Sequence, residues 1–443
     1  MGPPLSSGGN VPSTPRLTTK WSAGGCGGGH ARARVGTLRP MLKPPSLPAG
    51  ARRILELAKR DRAAARAALA ALPVDEQVAL ICESPVRRRA ELLELVNAPE
   101  QVIPRIPPAE LCFVAKAVGL SDAGWLLEHA TEEQIATAID LDAWNALVPD
   151  RSRLDEWLAA LSDAGDETLL RAAHGLDFEL LVLLLRERLS VFLGGRDEAA
   201  DAPAGSLSID GQFHLLPLRS GDDLEDVLGL LSTLFQQDYW FYHRLLQAVS
   251  IDLESETEES ALRWRSGRLQ DLGFPPLEDA KRIYSFVRED QLARLPGETG
   301  ALEVGEWPLP VWMPSLPASS ETEHLLFRAM ATLGEEERRP LLFAFLALAN
   351  RVAVADEMPL GDAETLPAAT EKAARVASLG LAYLARENAV EPAFLLRRMP
   401  LERLFVVGAN LEGRAFVRSR TDAGPAEATP PRAPADPSDP SRR

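Results

Sequence analysis

The sequence predicts a mainly α-helical protein, built of stacked short helices in a solenoid-like array or irregular bundle, with one small β-hairpin in its central region. Three observations predict it. Leu and Ala, which favour helix most strongly, recur throughout, while only 6% of the chain is aromatic. Pro, Gly and Ser/Thr/Asp divide the chain into apolar-faced segments of roughly 8–14 residues, with connections of about two to four. Helices that short cannot each bury an apolar face alone, so they must stack on their neighbours.

The chain of 443 residues is long enough for two or three domains, and 46% hydrophobic residues supply substantial cores. Residues 1–48 carry Arg16, Lys20, Arg32, Arg34, Arg39 and Lys43 without one acid, and are rich in Gly, Pro and Ser. They read as a disordered tail, too poor in apolar surface to offset the entropy of ordering. Met41, which leads directly into the first helical stretch, is a candidate start of translation. The glycines at 24–29 lack the G-x-G-x-x-G spacing of a phosphate loop.

Residues 49–195 read as a helical array. Ala51 to Leu72 is one alanine-rich helical stretch stopped by Pro73. Ser84 and Pro85 start Val86 to Val96, and Pro107 and Pro108 start Ala109 to Val118, which ends at Gly119. Thr131 and Gln134 have capping-box spacing. Further helices are expected near 141–148, 151–162, 166–174 and 177–193. The linker 194–205 leads into the central region, 206–290, where Asp210-Gly211 between apolar flanks suggests a short type I′ hairpin. Helices are expected again at Asp222 to Phe235 and Trp240 to Val249. A Pro-rich connector, 291–320, reads as extended. A C-terminal helical domain, 321–418, is expected to hold helices near 321–333, 336–355, 365–388 and 391–398. Residues 419–443 read as a second disordered tail.

Charge and motifs exclude several functions. Beyond residue 48 the chain holds 64 acidic against 42 basic residues, a net charge of −22, so binding to nucleic acid is not expected. Cys26, Cys82 and Cys112 are too few and scattered for a disulfide framework or zinc site, which fits a cytoplasmic protein. No segment reaches the ~18 uninterrupted apolar residues of a membrane span. There is no P-loop, G-x-S-x-G or H-E-x-x-H. Glu321 and His324 make half of a di-iron spacing, but the other half is missing, and His129, His174, His214 and His243 also lack ligand-spaced partners. No metal or cofactor is expected.

Two clusters remain. Arg263, Trp264, Arg265 and Arg268 could form an anion pocket, since arginine presents a planar fork of donors. The favoured reading is structural: the arginines pair with Asp252, Glu254, Glu256, Glu258 and Glu259 just upstream, and Trp264 packs on the core. The second cluster is the aromatic run from Asp238 to His243. On a helix its side chains point all round the axis, so core packing accounts for most of them, and Tyr239 and Trp240 are candidates for a partner.

The residues Ala261 to Tyr284, ALRWRSGRLQDLGFPPLEDAKRIY, resemble the signature of a bacterial family known only as a domain of unknown function. AGDETLLRAAHGLDFELLVLLL at 164–185, SIDGQFHLL at 208–216 and RRMPLERLFVVGAN at 397–410 resemble the same family, so the likeness spans about 50–418. It implies a bacterial helical protein and carries no activity. The N-terminal helices also resemble, in style alone, the helical domain of bacterial magnesium transporters. Together these readings favour a non-enzymatic scaffold that binds protein partners in grooves between helices. The alternative is an enzyme or small-anion binder that uses Arg263, Arg265 and Arg268.

Overall fold

Short helices start where a cap or proline starts them. The computed structural model describes residues 47–194, 204–218, 224–294 and 324–422, with side chains described up to residue 414. The opening helices are α1 (Ala49–Ala58), α2 (Arg62–Ala70), α3 (Val74–Cys82), α4 (Val86–Leu93), α5 (Pro99–Val102) and α6 (Pro108–Val118). The stretch from Ala51 to Leu72 is thus two helices, because the Asp61 carboxylate accepts the Ala64 N–H at 2.9 Å and caps a new start. The array continues through α7 (Gly124–Leu127), α8 (Glu132–Asp142), α9 (Arg151–Asp163), α10 (Asp166–Gly175) and α11 (Phe178–Arg186). Thr131 and Gln134 form the capping box of α8.

Alternate helices pack together: α4 on α6, α6 on α8, α8 on α10. This zigzag is how short helices bury one face each, and it bears out the mainly helical, stacked reading. Two stretches expected to be helical are not. Residues 144–149 form a tight hairpin, β1 (Trp144–Asn145) against β2 (Val148–Pro149), turned by Ala146 at φ 54°. After α11 the chain switches to a strand, β3 (Leu189–Leu193), in which Leu189 and Val191 are buried and Ser190 is half-buried. That period-two pattern lies directly behind the all-apolar run of α11, which masks it in the sequence.

The central hairpin exists, with a different partner from the one expected. Strand β4 (Phe213–Pro217) pairs antiparallel with β3 across the linker, Leu193 opposite Phe213 and Leu189 opposite Pro217. Only Leu207 reaches β4 from the Asp210 side, through a single bridge to Leu215. Asp210 and Gly211 do not form a type I′ turn, since of the two only Gly211 has positive φ. The Asp210 carboxylate instead accepts the Gln212 and Phe213 N–H groups, both at 2.9 Å.

The remaining helices are α12 (Glu225–Gln237), α13 (Tyr239–Ile251), α14 (Glu254–Asp271), α15 (Leu277–Lys281) and α16 (Glu289–Leu292), then α17 (Leu325–Ala331), α18 (Glu335–Ala355), α19 (Thr365–Asn388), α20 (Pro392–Leu396) and α21 (Leu401–Asp422). Helices α14 and α21 are not among those the sequence reading located. Most of both tails, the Met41 start, most of the 194–205 linker and most of the Pro-rich connector lie outside the described residues, and the start of the expected C-terminal tail, 419–422, is the end of α21. Among the described residues no helix is long and apolar enough to cross a membrane.

Buried apolar side chains form two cores, one from Ala51 to Phe274 and one from Ala280 to Val407. The helical array and the central region up to Phe274 therefore share one core, and the central region from Ala280 onward joins the C-terminal one. The two cores meet at the α18–α19 connection. There Gly361 lies so close to Asp142 that a Cβ would sit 2.8 Å from its side chain. Lys116 bridges Asp142 and Asp362 beside it, and Trp157 Nε1 donates to Asp142 at 3.0 Å. In the second core α19 and α21 cross backbone to backbone at Gly380 and Gly408.

Candidate functional site

Helix α14 carries the arginine and tryptophan cluster, and its four-residue spacing sorts those side chains. Thr257, Ala261, Arg265 and Leu269 repeat every fourth residue and are buried on the face that packs against α11 and α8. Arg263 and Trp264 fall outside that stripe. Trp264 is 57% exposed rather than packed on the core. Arg263 pairs with Glu259 one turn earlier at 2.9 Å, both exposed, an arrangement worth about 0.3–0.5 kcal/mol.

Arg265 is buried and Arg268 partly so, and the fold itself engages both. Arg265 Nε donates to the Asp140 carbonyl at 2.9 Å and Nη1 to the Ala146 carbonyl at 3.1 Å, with its guanidinium 4.7 Å from the Trp144 ring centre. It therefore pins the β1–β2 hairpin to the end of α8. Arg268 forks twice. Nε and Nη2 reach the two oxygens of Asp140 at 2.7 and 2.9 Å, and Nη1 and Nη2 reach those of Asp177 at 2.5 and 2.6 Å. Two guanidinium groups face two carboxylates, so this node has no net charge to offer an anion.

Burial sets the titration of the node. It pulls the Arg265 guanidinium down to about 10, opposed by Asp140 and helped by neighbouring Arg268. Burial also acts against charged Arg268, but its hydrogen bonds to Asp140 and Asp177 more than reverse that, and the group stays charged. The Asp140 side chain has no exposed surface, and desolvation pushes its carboxyl up against the pull of both arginines.

The carboxylates that hold Arg268 come from α8 and from the start of α11, not from the acidic run beside it. Of Asp252, Glu254, Glu256, Glu258 and Glu259, only Glu259 forms an ion pair with the cluster. Pairing across 91 to 128 residues leaves no local trace in a single sequence. The only available hint was an aspartate in each of two strongly apolar segments, Asp140 near Ile139 and Leu141, and Asp177 before Phe178.

The aromatic run lies on α13, which begins where the Asp238 carboxylate accepts the Phe241 N–H at 3.0 Å. Tyr242 is wholly buried and stacks edge-on with Phe213 and Phe235. Phe241 packs edge-on against His174 and Phe178. Tyr239 is half-buried beside Trp240, and Trp240 is 77% exposed. The helix thus divides its rings between the core and solvent. His174 pairs with Asp238 and His324 with Glu371, and no group of three metal-ligating side chains occurs among the described residues.

The hollows offer little chemistry. One apolar void of about 20 Å³ lies among Leu154, Trp157, Leu180 and Leu230, room for a single water at most. A broad, open depression of about 620 Å³ is rimmed by Glu100, Glu128, Glu132 and Glu133. Its one arginine, Arg171, is held by the Glu128 and Ala130 carbonyls at 3.1 and 2.8 Å.

The chain belongs to a family of unknown function, DUF6178, whose model matches residues 66–414 and so includes all four of the sequence segments that carry the resemblance. No curated protein and no solved structure matches it.

Proposed function

We propose that this member of a family without an assigned activity is a helical scaffold that binds a protein partner through side chains left exposed on its stacked helices. Trp240 carries the reading. A tryptophan 77% exposed at the first turn of a helix whose other rings are packed leaves a large apolar surface in water. Tyr and Trp in that setting are typical anchors of protein interfaces. The neutral node around Arg268 supports the same side, because that guanidinium is already forked onto Asp140 and Asp177.

A photo-reactive phenylalanine analogue placed at Trp240 in the native host tests the proposal. The expected product is one discrete cross-linked protein that is lost when neighbouring Tyr239 is changed to Ala. Absence of any Tyr239-dependent product, together with a thermal shift by small anions that Arg268→Met abolishes, would transfer the case to the pocket.

A further inference from the structure

The two cores share little besides the connection between α18 and α19. Among the described residues no helix from α1 to α14 packs along the length of a helix from α15 to α21. The chain itself crosses from one core to the other through residues 275–279, between buried Phe274 and buried Ala280. Pro275 and Pro276 in that link have no N–H with which to bond either side. Outside the connection, Asn350 of α18 donates to the Gly273 carbonyl at 3.4 Å, and Val354 and Leu366 lie half-buried against the first core.

The connection, residues 356–364, is built as a peg. The Asp362 N–H and the Thr365 hydroxyl both donate to the Pro359 carbonyl, at 3.1 and 2.6 Å, which braces it as one piece with α18 and α19. Its tip, Gly361, is buried against Asp142 of α8, and the Gly361 carbonyl lies 4.0 Å from Cys112 Sγ of α6. Lys116 of α6 latches the tip by bridging Asp142 and Asp362. The Asp362 side chain is 48% exposed, so water and salt reach the latch. Packed units joined by a small, partly ionic contact and one short link move relative to each other.

We infer that the α18–α19 connection is a detachable peg. The two cores swing apart as rigid bodies about residues 275–279, which withdraws Gly361 and uncovers its seat on α6 and α8. Cys112 lies under the peg, whereas Cys82 of α3 is buried beside Arg89 of α4. In the closed form Cys112 is 0% exposed and Cys82 3%, so static burial gives Cys112 no advantage, and opening of the joint does. The motion is independent of the scaffold reading and of any partner at Trp240.

The test labels the native full chain with N-ethylmaleimide over hours and reads each cysteine separately by peptide mass spectrometry. Labelling is slow in the wild type, where the closed form predominates, and Cys112 is expected to react at least threefold faster than Cys82. Gly361 has no positive φ, so Gly361→Ala spares the backbone and spoils the fit, its Cβ meeting Asp142 at 2.8 Å. That variant is expected to speed Cys112 at least tenfold and Cys82 less than twofold. Asp362→Asn, which weakens the latch from its exposed side, is expected to act in the same direction by a smaller factor, as is high salt on the wild type. These two give the same reading should Gly361→Ala fail to fold. Equal acceleration of both cysteines would mean that the whole fold loosens. Cys112 no faster than Cys82 in the wild type and every variant would mean that the peg stays seated. Either result overturns the inference, and neither touches the cross-link expected from position 240.

Discussion

Replacing Arg268 with Met separates a structural node from a binding pocket. Methionine keeps much of the apolar stem and removes the guanidinium, so Asp140 and Asp177 lose a doubly forked partner. Their side chains are 0% and 9% exposed, and they then share a site as like charges, with only the weaker pull of Arg265 on Asp140 left. Removing one partner of a buried pair costs about 3–5 kcal/mol. Arg268 is itself 30% exposed, so water can reach the vacated space, and the lower end, about 3 kcal/mol, is the better figure. The loss should depend on pH. In the variant Asp140 keeps the burial that raises its carboxyl but loses the principal group opposing that rise. The folded value then lies above the unfolded one, the folded state is penalised where the group is charged, and the penalty shrinks as pH falls and the group protonates. Urea unfolding followed by circular dichroism at pH 8 and pH 5 measures both effects. The expected result is a loss of about 3 kcal/mol at pH 8, smaller at pH 5, and partly recovered by adding Asp140→Asn. A loss under about 1 kcal/mol, or one equal at both pH values, would refute the argument.

Other regions yield further tests. Gly380→Ala puts a Cβ 1.9 Å from the Leu404 carbonyl oxygen, and Gly408→Ala puts one 2.0 Å from that of Val376, so α19 and α21 must separate. Each should destabilise by at least about 1–3 kcal/mol in urea, and a neutral result would mean the crossing is looser than described. Lys116→Met leaves the 5%-exposed Asp142 side chain without its cation at the joint of the two cores, and limited proteolysis should then cut faster near the α18–α19 connection. In the wild type the Lys116 ammonium is raised, burial notwithstanding, by Asp142 and Asp362. Its contribution should therefore be full below the ordinary lysine value of 10.5 and disappear as pH climbs through the higher folded value. Cys82 and Cys112 are buried, and desolvation pushes the Cys82 thiol up to about 12. Both should resist Ellman's reagent at pH 8 until denaturant is added, and prompt native labelling of either would contradict the packing.

The sequence exposed what is local and concealed what is distant. The capping box at Thr131 and the proline starts of α4 and α6 are read within four residues, and the structure has them where the pattern puts them. Helix α19, expected at 365–388, has those bounds because Pro367 sits within its first turn and Ala389 closes it in a left-handed conformation. Helix α14 escaped notice for a physical reason. Its buried stripe consists of Thr257, Ala261, Arg265 and Leu269, and only two of those four are apolar. A helix held partly by an inward arginine has almost no amphipathic signature. Strand β3 was hidden by the apolar helix before it, and its pairing with β4 crosses a linker of no fixed pattern.

The candidate site divides along the same line. Residue type alone made Arg263, Arg265 and Arg268 one basic cluster, whereas helix geometry makes them three different things. Arg263 is a solvated surface charge, Arg265 a clamp on backbone carbonyls, and Arg268 the counter-charge of two buried aspartates. Once the latter two are spent inside the fold, the charge remaining on the surface of α14 is the opposite of what the motif suggests. The helix shows solvent four glutamates, one self-paired arginine and a tryptophan. A segment that reads as a seat for anions thus folds into a face whose unsatisfied chemistry is acidic and apolar. Burial of Arg265 and the pairing of Arg268 with two aspartates produce that inversion.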